Sequence, residues 1–416
     1  MAERCYTARQ WREELPRLTD EASARRWQDL LAKFDSVFGP DREVGLFSAP
    51  GRTEIGGNHT DHQHGRVLAA SVNLDMAAAA AENGGSVIRV QSEGYRMCQV
   101  DLEDLSVRPE EKNTTLALIR GVAAKFQEMG AELRGFDAYV VSDVLRGSGL
   151  SSSAAFEVLM GVIVNSLFFG GKATPVQIAQ IGQYAENVYF GKPSGLMDQT
   201  ASSVGNLVAI DFADPAAPVV ERVEFDFSGT GHSLCIIDCG ADHANLTDEY
   251  AAIPGELKII SRHFGKEVLR DVPEADFYRE LPALRKEAGD RAVLRAIHFY
   301  ADNDRVPQQV AALKRGDFPA FLSLMRQSGR SSWMYLQNVV PAGYKEHQEM
   351  AVALALCDKL LGDRGAFRVH GGGFAGTVQA FVPNEMLEEF RRGICAVFGE
   401  GSCHVLSIRP VGGIRL

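Results

Sequence analysis

Apolar residues recur at helical spacing along the first part of the chain. In residues 8–38 this spacing predicts helices that bury one face and expose a polar one. The apolar positions are Trp11, Leu15, Leu18, Trp27, Leu30, Leu31 and Phe34. Further on, residues 136–144 alternate large apolar residues with smaller or polar ones, which predicts a strand. The apolar run 154–168 is long enough for a buried helix.

The same patterns predict mixed helices and strands over the rest of the chain. The predicted strands cover 44–49, 86–91, 97–102, 207–212, 233–238, 367–370, 377–382 and 404–409. The predicted helices cover 114–129, 174–190 and 384–398, and the second of these begins with Thr174 as N-cap and Pro175 at the first helical position. Two polar stretches, 50–65 and 192–206, are expected to be loops. Helices and strands in both halves indicate an α+β fold.

The length of 416 residues predicts two domains. The Pro/Ala-rich stretch 215–218 follows a predicted strand and is typical of a boundary. We therefore expect an N-terminal domain over 1–212 and a C-terminal domain over 213–416. An apolar fraction of 45% and a charged fraction of 23% are ordinary for a soluble globular protein.

The net charge of −11 argues against a nucleic-acid-binding surface. An acidic enzyme can still bind a polyanion such as ATP through helix ends, a metal ion and a few cations. The seven cysteines form no Cys-x-x-Cys pair and no zinc spacing, so we expect reduced thiols and a cytoplasmic protein. The sequence shows neither a signal-peptide pattern nor an apolar run of membrane-spanning length, so we expect no membrane partner.

Glycine and serine dominate the link between the predicted strand 136–144 and the helix 154–168. From Gly147 it reads Gly-Ser-Gly-Leu-Ser-Ser-Ser-Ala-Ala. Gly147 and Gly149 leave room for a ligand to approach the backbone, and the first N–H groups of the helix carry partial positive charge. With three serine hydroxyls they predict a phosphate-binding loop, although a plain turn with a serine N-cap fits the same residues. The loop is not a Walker P-loop, because no Gly-Lys-Ser/Thr follows.

Polar side chains crowd into residues 49–61, which read Ala-Pro-Gly-Arg-Thr-Glu-Ile-Gly-Gly-Asn-His-Thr-Asp. Carboxylates, amides and imidazoles pair with sugar hydroxyls, and each unmatched buried polar group costs about 1–3 kcal/mol. The segment is therefore a candidate for sugar binding. The imidazoles of His59, His62 and His64 also allow a zinc site, and a solvated loop is a third interpretation.

Several segments resemble the signature motifs of the GHMP kinases, and of the galactokinase family in particular. Segment 147–154 is similar to Gly-x-Gly-Leu-Ser-Ser-Ser-Ala, and segment 368–377 is similar to the third, Gly-rich motif. Segment 50–62 resembles Pro-Gly-Arg-Val-Asn-Leu-Ile-Gly-Glu-His-Thr-Asp-Tyr, and segment 191–199 resembles Gly-x-Pro-x-Gly-x-Met-Asp-Gln. The departures are Asn58 in place of Glu, Glu54 in place of Asn, His62 in place of Tyr, and His370 and Ala375 in the third motif.

This resemblance implies a two-domain α+β GHMP kinase architecture, with a ribosomal S5 domain 2-like N-terminal half and a ferredoxin-like α+β C-terminal half. It implies phosphorylation of the anomeric hydroxyl of galactose, with ATP as co-substrate and Mg²⁺ as cofactor, and we expect a monomer. Because Asn58 and His62 depart from the family, a 1-kinase for galacturonate or N-acetylgalactosamine is an alternative. A non-catalytic sugar or ATP sensor on the same scaffold is another.

The resemblance also implies roles for individual residues. Asp198 matches the proposed catalytic base, and Arg52 is the cation expected beside it. The positions matched to sugar contacts are Asn58, His59, Asp61, Gly195 and Tyr250. The positions matched to nucleotide binding are Gly147, Ser148, Gly149, Leu150, Ser151, Ser152 and Ser153. Ser153 and Glu186 match the residues that hold Mg²⁺.

Overall fold

The computed structural model describes residues 6–144, 149–192, 194–240, 246–374 and 376–416. The predicted nucleotide-binding residues Gly147 and Ser148 lie outside them. The strands in the described part are β1 (Tyr6–Thr7), β2 (Glu43–Gly56), β3 (Arg66–Glu82), β4 (Val87–Ser92), β5 (Cys98–Asp101), β6 (Phe136–Ser142), β7 (Leu207–Asp211), β8 (Val219–Val223), β9 (His232–Asp238), β10 (Ala366–His370), β11 (Thr377–Pro383), β12 (Cys403–Leu406) and β13 (Ile414–Arg415).

The α-helices of the described part are interspersed with these strands along the chain. They are α1 (Ala8–Leu18), α2 (Glu21–Phe38), α3 (Thr115–Glu128), α4 (Ser152–Phe168), α5 (Pro175–Tyr184), α6 (Met197–Val204), α7 (Thr247–His263), α8 (Glu274–Arg279), α9 (Leu281–Glu287), α10 (Asp290–Lys314), α11 (Phe318–Ser331), α12 (Glu349–Leu361) and α13 (Leu387–Phe398). Mixed helices and strands in two sheets confirm the predicted α+β fold.

In the described part of the chain, the larger sheet has nine strands, and its main path runs β1-β2-β3-β6-β4-β5. Strand β13 pairs with β2, β7 pairs with β3, and β8 pairs with β7. Its centre, β3, is buried on both faces. Ala78 and Ala80 pack in the core with α3 and α4, whereas Ala77, Ala79 and Ala81 pack against α1 and α2. Small side chains on both faces let helices approach the strand from either side.

Among the described residues, the smaller sheet has four antiparallel strands in the order β10-β11-β9-β12. Strand β9, one of its two inner strands, is also buried on both faces. Leu234 and Ile236 belong to the main core, whereas Cys235 and Ile237 pack with α12 and α13. A third cluster joins α7 to α10, and α10 also contacts β2 and β3.

Two sequence predictions of local structure are wrong, and a third is confirmed with a change of helix type. Residues 50–65 were expected to be a loop, but β2 continues to Gly56 because β3 pairs with it, with Arg52 opposite Ser71. Residues 192–206 were also expected to be a loop, but they contain α6. The predicted helix 174–190 ends as α5 at Tyr184 and continues as a π-helical turn, Ala185–Phe190.

The larger sheet takes strands from both sides of the predicted domain division. Strand β8, which lies beyond residue 212, pairs with β7, and the C-terminal β13 pairs with β2. The division into 1–212 and 213–416 stays a prediction. Among the described helices, none combines the length and apolar composition that crossing a membrane would require.

Candidate active site

Arg52 and Asp198 form a two-point ion pair although they lie 146 positions apart in the chain. Arg52 Nε donates to Asp198 Oδ1 at 2.7 Å, and Nη2 donates to Oδ2 at 2.6 Å. Strand β2 supplies the arginine, and the first turn of α6 supplies the aspartate. Two parallel bonds between a planar guanidinium and a carboxylate hold both groups in one orientation.

The environment keeps Asp198 ionised. Burial alone would raise the pKa of its carboxyl group. The charge and hydrogen bonds of Arg52, the hydrogen bond of Ser151 and the charge of Lys192 outweigh burial, so the pKa lies below its usual value. The N-terminal turn of α6 adds a partial positive charge nearby. Asp198 is therefore a carboxylate at neutral pH, and a weak base.

The described part of the predicted phosphate-binding loop is bonded directly to this ion pair. Ser151 Oγ donates to Asp198 Oδ2 at 2.6 Å. The carbonyl of Leu150 accepts the backbone N–H of Arg52 at 3.0 Å, and the carbonyl of Gly149 accepts from Arg52 Nη1. The loop, the sugar-binding segment and α6 therefore meet at one carboxylate.

The loop reaches this position through two left-handed residues, Gly149 with φ 71° and Ser151 with φ 56°. A Cβ on Gly149 would lie 3.0 Å from both His370 Nδ1 and Thr377 Oγ1, so a side chain there would press on the strands β10 and β11. Ser152 then begins α4, and the first N–H groups of that helix have no intrahelical partner. The helix end is thus available to an anion.

The two predicted metal ligands lie next to each other. Ser153 Oγ, in the first turn of α4, is 3.5 Å from Glu186 Oε1, in the π-helical turn after α5. Gln199 Nε2 donates to the other Glu186 oxygen at 3.0 Å and so orients the carboxylate. One hydroxyl and one carboxylate beside a phosphate-binding helix end fit Mg²⁺, which takes few protein oxygens and completes its shell with phosphate and water.

The zinc interpretation of the clustered histidines has no support in the geometry. Within the described ranges, no group of three or more His, Cys, Asp or Glu side chains is arranged to hold a metal ion. The rings of His59 and His62 lie with their centroids 5.9 Å apart.

Asp61 and Gly195 face each other across the predicted sugar site. A Cβ on Gly195 would lie 2.8 Å from Asp61 Oδ2. The Asp61 side chain is 18% exposed and its Oδ1 lies 3.8 Å from His62 Nε2. Asp61 therefore presents acceptor oxygens beside Gly195, just before the helix that carries Asp198.

The third, Gly-rich motif is bonded to two other predicted sugar-site residues. His59 Nε2 lies 2.8 Å from the carbonyl oxygen of Gly372, and Tyr250 Oη donates to the carbonyl of Gly373 at 2.9 Å. Burial and the neighbouring His62 lower the pKa of His59, so its imidazole is neutral near pH 7. A Cβ on Gly372 would lie 2.6 Å from the Tyr250 ring, which explains glycine at that position.

Asn58 is fully buried, and its amide is used by the protein. Nδ2 donates to Glu54 Oε1 at 3.0 Å and to the carbonyl of Gly371 at 2.7 Å. Oδ1 accepts from Asn338 Nδ2 at 2.9 Å and from Ser332 Oγ at 3.3 Å. These bonds fill the donors and acceptors of an amide. The geometry therefore gives no support to direct sugar contact by Asn58, which instead ties the sugar-binding segment to the C-terminal half.

A buried polar network lies behind the site, and the sequence pattern does not predict it. Arg368 is fully buried, forms an ion pair with Glu54 and donates to the carbonyl of Ile55 at 2.7 Å. His370 lies 3.0 Å from Thr53 Oγ1, and burial with the charges of Arg52 and Arg368 lowers the pKa of His370 to about 3. These residues begin the third motif, but nothing in the local pattern indicates their partners on β2.

A second feature that the sequence pattern did not reveal lies next to the two predicted metal ligands. Glu157 is fully buried and accepts from Gln199 Nε2 at 2.8 Å. Burial, followed by the charge of Glu186, raises the pKa of Glu157 well above its usual value. Glu157 is the one charged residue in the sequence of α4, and that isolation was a signal that could have singled it out.

Comparison with solved structures places this fold among known kinases. Lactococcus lactis galactokinase complexed with galactose superposes with a TM-score of 0.79 at 25% identity, covering 94% of this chain and 100% of that one. A mevalonate kinase superposes with a TM-score of 0.62 at 13% identity, which shows the fold alone, covering 88% of this chain and 99% of that one. The family model of the GHMP kinases N terminal domain matches residues 117–206, so the fold and this match define a GHMP kinase.

Sequence relatives of the chain identify one family within the GHMP kinases. The model of the galactokinase galactose-binding signature matches residues 32–82. The galactokinase of Streptomyces coelicolor is 31% identical over 84% of this chain and 87% of its own length. That of Actinobacillus pleuropneumoniae serotype 3 is 32% identical over 86% of this chain and 90% of its own. The chain belongs to the galactokinase family.

Proposed function

We propose that this protein transfers the γ-phosphoryl group of ATP to the anomeric hydroxyl of galactose and forms galactose 1-phosphate. One observation carries the proposal: Arg52 of the sugar-binding segment and Ser151 of the phosphate loop both bond to Asp198. The galactokinase family membership supports galactose and ATP as the two substrates.

In this proposal, Asp61 and the backbone at Gly195 bind the sugar hydroxyls. The Asp61 carboxylate offers acceptors for hydroxyl donors, and the absence of a side chain at Gly195 leaves room for the sugar beside it. His59 and Tyr250 shape the opposite wall through their bonds to the Gly-rich motif. The acceptor hydroxyl then faces Asp198.

Asp198 orients that hydroxyl and accepts its proton as the bond to phosphorus forms. Its lowered pKa makes it a weak base, which suits phosphoryl transfer because the transition state is loose and needs little help from a strong base. Arg52 offsets the negative charge that develops on the transferring group, and its two bonds to Asp198 keep it in place without reorganisation.

The phosphates of ATP bind at Gly149, Leu150, Ser151 and Ser152 and at the N-terminus of α4. Ser153 and Glu186 are the residues that would hold Mg²⁺, which when bound neutralises phosphate charge.

Asp198→Asn tests the catalytic assignment, because it removes the charge and the proton acceptor with little change in shape. We expect turnover to fall by about 10²- to 10⁴-fold, while galactose binding measured by calorimetry changes only a few-fold. Asp226→Asn, a carboxylate in the link before β9, is the matched control and should keep full turnover. Equal turnover in Asp198→Asn and the parent protein would remove Asp198 from this role.

The identity of the sugar that accepts the phosphoryl group is tested by following ADP release with galactose, galacturonate and N-acetylgalactosamine. Release that depends on galactose and is fastest with it supports the proposal. A faster reaction with either other sugar would reassign the substrate, and no sugar-dependent release with any of them would favour a sensor.

A further inference from the structure

Lys192 brings a second positive charge to the phosphate end of the site. Its Nζ lies 3.1 Å from Glu186 Oε1, the same oxygen that Ser153 Oγ approaches at 3.5 Å. The Lys192 side chain is 60% exposed, whereas that of Glu186 is 4% exposed. The lysine therefore reaches inward from the chain between the π-helical turn and α6. It occupies a variable position of the Gly-x-Pro-x-Gly-x-Met-Asp-Gln segment.

Three of the five N–H donors of Arg52 are already used within the protein. Its Nε and Nη2 donate to Asp198, and its Nη1 donates to the carbonyl of Gly149. The N-terminus of α4 supplies about half an elementary positive charge, whereas a triphosphate carries several negative charges. A further cation at this end of the site would therefore favour binding.

Lys192 and a divalent cation cannot both contact Glu186 Oε1 without strong repulsion, because two cations would share one oxygen. The lysine stem is long, flexible and mostly exposed. Its ammonium can therefore turn from Glu186 to a phosphate oxygen at the neighbouring helix end at small conformational cost.

We propose that Lys192 is a nucleotide-binding residue that exchanges Glu186 for a phosphoryl oxygen when Mg·ATP binds. This inference rests on the proposed function, because it requires ATP at the N-terminus of α4. It adds a cation to the site at a position that no motif of the family specifies in this sequence.

Equilibrium binding measurements on the full chain distinguish a nucleotide-binding role of Lys192 from a simple surface ion pair with Glu186. Dissociation constants are measured by calorimetry for Mg·AMPPNP and for adenosine, which lacks phosphate, with the parent protein, Lys192→Gln and Lys192→Arg. Lys314→Gln is the matched control, because Lys314 forms an exposed ion pair with Glu221 on β8. We expect Lys192→Gln to weaken Mg·AMPPNP binding by roughly 10- to 100-fold and to leave adenosine binding unchanged.

Lys192→Arg should retain most of the affinity for Mg·AMPPNP, because it keeps the positive charge. Lys314→Gln should have the same Mg·AMPPNP affinity as the parent protein. Unchanged Mg·AMPPNP affinity in Lys192→Gln would refute the inference while leaving the proposed function intact. An equal loss for adenosine would also refute it, because that result indicates a structural effect. A parent protein that binds no Mg·AMPPNP would refute the proposed function itself.

Discussion

Gly195→Ala is a direct test of how the proposed sugar site is built. The added Cβ would lie 2.8 Å from Asp61 Oδ2 and 3.8 Å from Asp61 Cγ. Among the described residues, no other atom beyond the adjacent residues comes within 4 Å, and the backbone at Gly195 is not left-handed. The substitution therefore acts on the Asp61 carboxylate and leaves the surrounding fold in place.

The size of the expected change in galactose KM follows from the distance between the added Cβ and the Asp61 carboxylate. Ordinary van der Waals contact begins near 3.4 Å, so the carboxylate must retreat by about 0.6 Å. A hydrogen bond to a charged group contributes about 1.5–3 kcal/mol. If the displaced carboxylate loses one such bond to the sugar, the KM for galactose rises by roughly 10- to 150-fold.

The assay is steady-state kinetics with each substrate varied, together with thermal unfolding. We expect a higher galactose KM, an unchanged ATP KM and nearly unchanged Tm. Gly255→Ala in α7 adds the same methyl group at a position where, in the described part of the chain, no atom lies within 4 Å apart from the adjacent residues and the local helix backbone, so it should leave both KM values unchanged. A folded Gly195→Ala protein with the parent galactose KM would refute the assignment of Asp61 to the sugar.

Two further predictions concern buried polar groups. The pKa of Glu157 is raised in the folded protein, so its carboxyl group stays protonated at pH values above 4.5, the usual pKa of a glutamate. Between the usual and the raised pKa, the free energy of unfolding therefore falls as pH rises. Glu157→Gln lacks this titration, so its Tm advantage over the parent should grow from about pH 5 to pH 8, and a pH-independent difference would contradict the argument. Asn58→Ala should lower the free energy of unfolding by about 2–5 kcal/mol in urea titrations, because it leaves buried partners unpaired. Unchanged stability with an altered sugar preference would instead restore Asn58 as a sugar contact.

Residue type and local order were sufficient for the family, the fold class, and the strand and helix that flank the predicted phosphate-binding loop. The strand before that loop, predicted at 136–144, is β6, and the helix after it, predicted at 154–168, is α4. These features depend on alternation, apolar runs and glycine, which act over a few neighbouring residues. For that reason they can be recognised in the sequence alone.

The secondary structure of the polar segments was decided by tertiary structure. Residues 50–56 look like a loop in the sequence, but they form a strand because β3 supplies the partner backbone groups. Asp198 lies in a helix because α6 packs against α4 and α5, a contact that the polar residues around it do not reveal.

Tertiary structure also decided which polar residues face the site and which support it. Glu54 and Asn58 stand in the sugar-binding segment, but their partners Arg368 and Asn338 lie 314 and 280 positions further along the chain. A buried polar group must be paired wherever the fold supplies a partner. Since that partner is distant in sequence, the local pattern cannot show whether such a side chain is left for a ligand or already bonded within the protein.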